Sequence, residues 1–385
     1  MRLVELPAPD ANALAVSRAL VECIRAELRA HGNWMSFARY MELALHAPGL
    51  GYYAAGSAKL GPGGDFVTAP ELGPLFAQTL AAQVAELVGQ TDGAILELGA
   101  GSGALAEGLL AELALGAGIL PDYFILEISA ELRDRQRQRI GSRAIWLDRL
   151  PERFRGVLIA NEVADALPVH AIAWTRNGIK ERGVCENEGE LAWSERAAAG
   201  AALGAASAIA GTGSIELPPS GRYQSEIGLA AQAWIALLAG RLEAGALLAI
   251  DYGFAHREYY HPQRSMGTLM CHYRHHAHGE VFVHPGLQDI TAHVDFSALT
   301  DAGTRAGLNV LGYATQAQFL VNCGITEVLG RCNAEDAVRY APRAAEANTL
   351  LSPAEMGELF KVLALGRGID APLIGFSRGD RVHTL

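Results

Sequence analysis

Three carboxylates and one amide stand where short apolar runs give out: Glu97, Glu127, Glu162 and Asn161. Around the first of them, residues 95–103 read Ile-Leu-Glu-Leu-Gly-Ala-Gly-Ser-Gly, with glycines at 99, 101 and 103. Glycine adopts positive φ and lets backbone approach a ligand with no Cβ in the way. An apolar strand entering such a loop, then a helix over Ala104–Ala114, is the context a dinucleotide or adenosyl pocket requires. The triplet alone is weak, because many α/β turns are glycine-rich.

A downstream acid sharpens the signal. Glu127 closes the second apolar run, 24 residues beyond Gly103. An acid there accepts hydrogen bonds from ribose hydroxyls. NAD and S-adenosylmethionine both carry that ribose, and the spacing suits either. Asp148, just past a third run, could contact an adenine amino group or simply be a solvated loop acid.

The fourth run discriminates. Residues 158–168 read Leu-Ile-Ala-Asn-Glu-Val-Ala-Asp-Ala-Leu-Pro, so Asn161, Glu162 and Asp165 fall where an open α/β sheet holds its reacting substrate. A carboxylate there can pair with a guanidinium fork or orient an amine. Methyl transfer asks mainly that donor carbon and nucleophile be held in line, which positioning side chains can do. Hydride transfer would instead need a Tyr-Lys or His-acid pair, and none has convincing spacing. An acid–Pro turn after a strand can also be a plain strand terminator.

These groups need a scaffold. Strands are expected at Tyr123–Ile128, Ala144–Leu147, Gly156–Ala160 and Ala246–Ile250, with helices at Leu75–Val88, Ala130–Ile140 and Ile227–Ala239. That alternation predicts an α/β fold with a parallel sheet. Residues 10–48 carry helical spacing at Leu14, Leu20, Ile24 and Leu28. Trp174–Asn187 reads as an antiparallel excursion, Ala197–Gly213 as a loop or small helix, and a closing strand is expected near Leu373–Ser377. The organisation expected is a helical cap and pocket-covering loop over 1–75 and a core over 76–253 with an excursion at about 170–220. A histidine-rich insertion over 254–298 and a part completing the core over 299–385 make up the rest.

With 385 residues, half of them hydrophobic and 19% charged, the chain can bury a substantial core. A net charge of −11 argues against nucleic acid as a partner. Five scattered cysteines without a C-x-x-C pair suit free thiols in a reducing compartment. No signal peptide or membrane-length apolar run is visible, so a cytoplasmic protein without membrane insertion is expected. The histidine run at 272–278 tempts a metal assignment, but no supporting acid or cysteine stands at tetrahedral spacing. A polar loop at a substrate rim is the better expectation, with no metal.

Beyond the glycine loop the chain resembles the MidA-like family of S-adenosylmethionine-dependent methyltransferases, which includes a mitochondrial assembly factor for respiratory complex I. The resemblance runs through Gly51-Tyr52-Tyr53, residues 64–71 (Gly-Asp-Phe-Val-Thr-Ala-Pro-Glu), 97–103, Glu127-Ile128-Ser129, Asn161-Glu162-Val163, Asp165–Pro168 and Asp251-Tyr252-Gly253. It continues in Gly267-Thr268-Leu269, 289–296 (Asp-Ile-Thr-Ala-His-Val-Asp-Phe), Gln318-Phe319-Leu320 and 353–357. It implies a class I, Rossmann-like methyltransferase sheet of seven strands, one antiparallel, with a helical N-terminal cap and an inserted substrate-side region. It further implies that Glu97, Gly99, Gly101 and Gly103 line the methionine part of S-adenosyl-L-methionine and that Glu127 holds its ribose. Residues 64–71 would pack over the pocket, with Asp65, Thr68 and Pro70 near cofactor or substrate. Because the mitochondrial relative methylates an arginine of a complex I subunit, Glu162 and Asp165 become candidate guanidinium contacts. Met270, where Arg is expected, and Ala164, where Leu is usual, depart from the family pattern.

Three functions fit: a protein arginine methyltransferase acting on a respiratory-complex subunit or similar partner, a methyltransferase with another acceptor, and a cofactor-binding assembly chaperone with little turnover.

Overall fold

Apolar runs with few polar interruptions suit strands covered on both faces, and such runs build the main sheet. The structure is a computed structural model and describes residues 6–54, 67–116 and 121–385. The chain divides into two units, one drawn from residues 1–66, 165–232 and 255–295, the other from 67–164, 233–254 and 296–385.

The second unit holds β1 (Ala94–Leu98), β2 (Tyr123–Leu126), β3 (Ile145–Leu147), β4 (Phe154–Asn161), β5 (Leu242–Phe254), β6 (Asn309–Thr315) and β7 (Phe360–Arg367). Their spatial order is β6-β7-β5-β4-β1-β2-β3. Neighbours from β5 to β3 are parallel, and β7 is antiparallel to both β5 and β6. This is the class I methyltransferase sheet, with one correction. The closing strand lies at β7 and not near Leu373–Ser377, where Ile374–Phe376 makes a 3-10 turn. Pro372 cannot donate to a ladder, and a Cβ on Gly375 would overlap the Phe319 ring, so that stretch is spent on packing.

Helices α1 (Leu75–Thr91), α2 (Ala104–Gly116) and α3 (Ala130–Ile140) flank the sheet. Leu80, Val84, Leu109, Ile95, Val157 and Ile250 belong to one buried cluster. Gly108 lets α2 close on α1: a Cβ there would come within 2.5 Å of Ala77 Cβ. Pro74 gives α1 no side-chain cap. Glu346 supplies it from 271 residues away, its Oε1 accepting from the Leu75 amide at 2.6 Å. At the amino-terminal end of the sheet, β1, β4 and β5 meet backbone to backbone. A Cβ on Gly156 would overlap Ala94, and one on Gly245 would overlap Gly156 itself.

The first unit begins with helix Ala11–Ala30, capped by Asp10, which accepts from the Ala13 amide at 2.9 Å. The helical spacing of residues 10–48 is broken at 31–36. Gly32 and Asn33 take positive φ, and the Asn33 side chain exchanges two 2.9 Å hydrogen bonds with the Glu186 backbone. A second helix, Phe37–His46, comes next. The excursion is the antiparallel sheet of His170–Thr175, Gly178–Asn187, Glu190–Ala197 and Arg222–Ile227, and the Ala/Gly tract forms helix Gly200–Gly211. The histidine-rich stretch is a hairpin, Met270–Tyr273 with His276–His278, whose two connecting residues, Arg274 and His275, both have positive φ as a type I′ turn demands. His278 is buried there, which pulls its imidazole below the usual range.

All five cysteines are free thiols. Among the described residues no helix is long and apolar enough to cross a membrane, and no three metal-ligating side chains converge.

Candidate active site

In an open parallel sheet, ligands collect beyond the carboxyl ends of the strands where the strand order reverses. Here that point lies between β1 and β4, and most of the candidate residues stand around it.

β1 delivers Glu97, which is 3% exposed. Its carboxylate accepts from the Tyr123 hydroxyl at 2.7 Å. Burial, reinforced by the nearby charge of Glu127, pushes the Glu97 carboxyl up to about 7 against the pull of that hydrogen bond. The loop then turns through Gly99, Gly101 and Gly103 at φ of +65°, +54° and +84°. Three positive φ values in five residues explain why side chains are missing there. The Gly99 amide donates to the Leu126 carbonyl at 2.9 Å, tying the loop to β2.

Glu127 lies just past β2 and is buried. Its Oε1 accepts from the Ser129 amide at 2.9 Å, and its Oε2 accepts from Gln136 Nε2 at 3.1 Å. Burial raises its carboxyl, and these donors oppose the rise. Gln136, fully buried on α3, also donates to the Gly101 carbonyl at 2.9 Å and accepts from the Trp146 indole at 2.9 Å. One amide therefore joins the glycine loop, the acid after β2 and β3. Sequence reasoning misses Gln136. α3 reads Ala-Glu-Leu-Arg-Asp-Arg-Gln-Arg-Gln-Arg-Ile, and nothing in that charged run separates Gln136 from Gln138 except the helical offset from Leu132 and Ile140.

Asp148 is 89% exposed and pairs with Arg133 at 2.8 Å. Thr68 precedes the short helix Ala69–Leu72 without a side-chain cap bond, and Pro70 lies in its first turn. Glu71 of that helix accepts from the Ser102 hydroxyl of the glycine loop, and Arg139 donates to the same hydroxyl at 2.8 Å. Asp65 lies outside the described residues.

β4 ends at Asn161, and Glu162 continues in the left-handed region at φ +53°. A β-carbon-bearing residue held there carries strain of about 1–3 kcal/mol, which recurs at functional sites. The Glu162 amide donates to the Ile250 carbonyl at 2.8 Å. Its Oε1 accepts from the Ala69 amide at 3.3 Å and from Asn161 Nδ2 at 3.1 Å. The loop after it is braced by buried Asp251, whose Oδ2 accepts from the Ala164 amide at 3.0 Å and whose Oδ1 accepts from the Tyr252 amide at 2.9 Å. Asp251 thus holds the turn, and Gly253 lies within β5. Asp165 belongs to the first unit, where it is buried and its carbonyl accepts from the Ala292 amide at 3.1 Å. The second unit accordingly brings together Glu97, the three glycines, Glu127, Asn161 and Glu162, and leaves Asp148 at its surface.

A reversed seventh strand, a glycine turn after β1 and an acid after β2 define a class I methyltransferase scaffold. Residues 75–314 match the family model of putative S-adenosyl-L-methionine-dependent methyltransferases (Methyltransf_28), and the chain belongs to that family. It is similar to the protein arginine methyltransferase NDUFAF7, mitochondrial, of Danio rerio, 28% identical with 91% of this chain and 87% of the relative covered. The NDUFAF7 homolog of Drosophila melanogaster is 27% identical, with 96% and 91% covered. A superfamily member from Burkholderia thailandensis, crystallised with S-adenosyl-homocysteine, is 49% identical at a TM-score of 0.94, covering 99% of this chain and all of that one.

The cofactor is S-adenosyl-L-methionine, and the residues present fit it. An ionised carboxylate has about four lone-pair positions. The bonds from Ser129 and Gln136 leave lone pairs of Glu127 open to ribose hydroxyl donors. At Gly99, Gly101 and Gly103 the loop offers backbone without side chains, and Cβ atoms at Gly99 and Gly103 would come to 3.3 Å from Val163 and 3.1 Å from Ile140.

Proposed function

We propose that this methyltransferase modifies an arginine side chain of a protein partner, such as a subunit of respiratory complex I. The observation that carries the reading is the pair formed by Asn161 and Glu162 at the end of β4, an amide and a carboxylate hydrogen-bonded at 3.1 Å beside the strand-order reversal. Two relatives covering most of the chain are named as protein arginine methyltransferases, which supports the choice of acceptor.

When bound, S-adenosylmethionine supplies a methyl group activated on a sulfonium. The protein's part is to hold and orient. Glu97 and the glycines at 99, 101 and 103 receive the methionine portion, and Glu127 takes the ribose hydroxyls. Thr68 and Pro70 border cofactor or substrate. Glu162 faces the guanidinium, its carboxylate matching the planar fork of donors. With chemistry this simple, alignment is the main lever, worth several kcal/mol.

The test is methyl-labelled S-adenosylmethionine incubated with purified enzyme and cell extract, then mass spectrometry of the labelled products. Label on arginine nitrogen of a protein supports the reading. Label on another atom or a small molecule replaces the acceptor, and saturable cofactor binding without any transfer makes the chain a docking protein.

A further inference from the structure

One atom at the end of β4 is unaccounted for. Asn161 Oδ1 is buried and has no hydrogen-bond partner among the described residues. The orientation of this amide is dictated by chemistry. Its neighbour is a carboxylate, which when ionised only accepts, so the NH2 side must face Glu162 and the carbonyl side must face away. Glu162 is itself fixed, by its amide on Ile250, by Ala69 on Oε1 and by a left-handed backbone. Buried amide oxygens are normally paired, so one left over beside the strand-order reversal points to a donor that arrives with a ligand.

We propose that Asn161 Oδ1 accepts a hydrogen bond from the nucleophile of the methyl acceptor, and that the site is therefore built for a nitrogen bearing at least one N–H. This rests on the S-adenosylmethionine assignment and narrows the acceptor class without depending on arginine. An oxygen nucleophile as its anion, or a thiolate, has no proton to offer this atom and would be repelled by it. A neutral amine or guanidine nitrogen has both the N–H and the lone pair. The amide carries no charge, so it directs the nitrogen without competing for its proton.

The probe is sinefungin, in which an amine-bearing carbon replaces the methyl-bearing sulfonium and so presents N–H donors where the methyl would be. S-adenosylhomocysteine is the matched ligand lacking that group. Calorimetric affinities for both are measured on wild type, Asn161→Leu and Asn161→Ala. Wild type should prefer sinefungin by at least fivefold. Both variants should lose that preference and bind S-adenosylhomocysteine within twofold of wild type, which also reports that they fold. Should Asn161→Leu prove unfolded, Asn161→Ala carries the comparison. A preference retained in the folded variants, or absent from wild type, overturns the proposal while leaving the cofactor assignment intact. Failure of wild type to bind either ligand would remove the cofactor assignment, and the proposal with it.

Discussion

Gln136 Nε2 stands 3.1 Å from Glu127 Oε2 and 2.9 Å from the Gly101 carbonyl, so a single amide fixes both the acid after β2 and the loop after β1. Two pocket walls from different strands share one support.

Gln136→Leu should weaken S-adenosylhomocysteine binding about tenfold, equivalent to about 1.4 kcal/mol. The apolar side chain of similar size removes the donor to Glu127 and orphans the Trp146 indole. Calorimetry with a parallel melting curve separates lost affinity from lost fold. Unchanged affinity would show that the loop and the acid hold their positions alone.

Gly101→Val should abolish detectable cofactor binding. Gly101 has φ +54°, a region that β-branched residues avoid. The circular dichroism spectrum should stay close to wild type, since the loop lies beyond the carboxyl end of β1, outside the strands and helices. Normal affinity in this variant would take the loop out of the site.

Glu162→Gln should keep cofactor affinity and slow transfer to a verified acceptor at least tenfold, about 1.4 kcal/mol of barrier. A glutamine oxygen can still accept from Ala69 and Asn161, so the loss isolates the charge. Single-turnover rates are the measurement, and undiminished transfer would exclude a role for the carboxylate.

Glu97 makes stability depend on pH. The folded protein holds this proton up to about 7, whereas the unfolded chain releases it near 4.5. Between those values the folded state binds more protons, so this residue's contribution falls as pH rises through the interval and stays low above it. Glu97→Gln cannot ionise and still accepts from Tyr123. Its melting temperature relative to wild type should therefore be higher at pH 8 than at pH 4.5. Equal differences at the two pH values would mean that Glu97 ionises as freely as in water.

Much of the site is readable from residue order, because the strand-loop-helix of residues 94–116 is a local device. The apolar run enters, the glycines turn, the helix leaves, and each signal lies within a few residues of the next. The acid at 127 and the polar end of β4 obey the same periodicity. Features that escape the sequence depend on distance. Gln136 looks like surface until the glycine loop and Trp146 close around it. The cap of α1 cannot be foreseen from Pro74, because Glu346 belongs to a helix far along the chain. The misplaced last strand has a similar cause: Leu373–Phe376 is as apolar as β7, and only its packing against Phe319 tells them apart.

The glycine contacts at the amino-terminal end of β1, β4 and β5 carry a different kind of consequence. There the sheet tolerates no side chain, while the opposite end of the same strands carries the side chains to which the proposed function assigns the chemistry. A deep mutational scan scored separately for abundance and for methyl transfer should resolve the two rims. Substitutions at Gly156 and Gly245 would deplete the protein from the cell whatever the assay. Substitutions at Asn161 and Glu162 would leave it abundant and idle, so the two scores together would trace the direction of the strands without any structure.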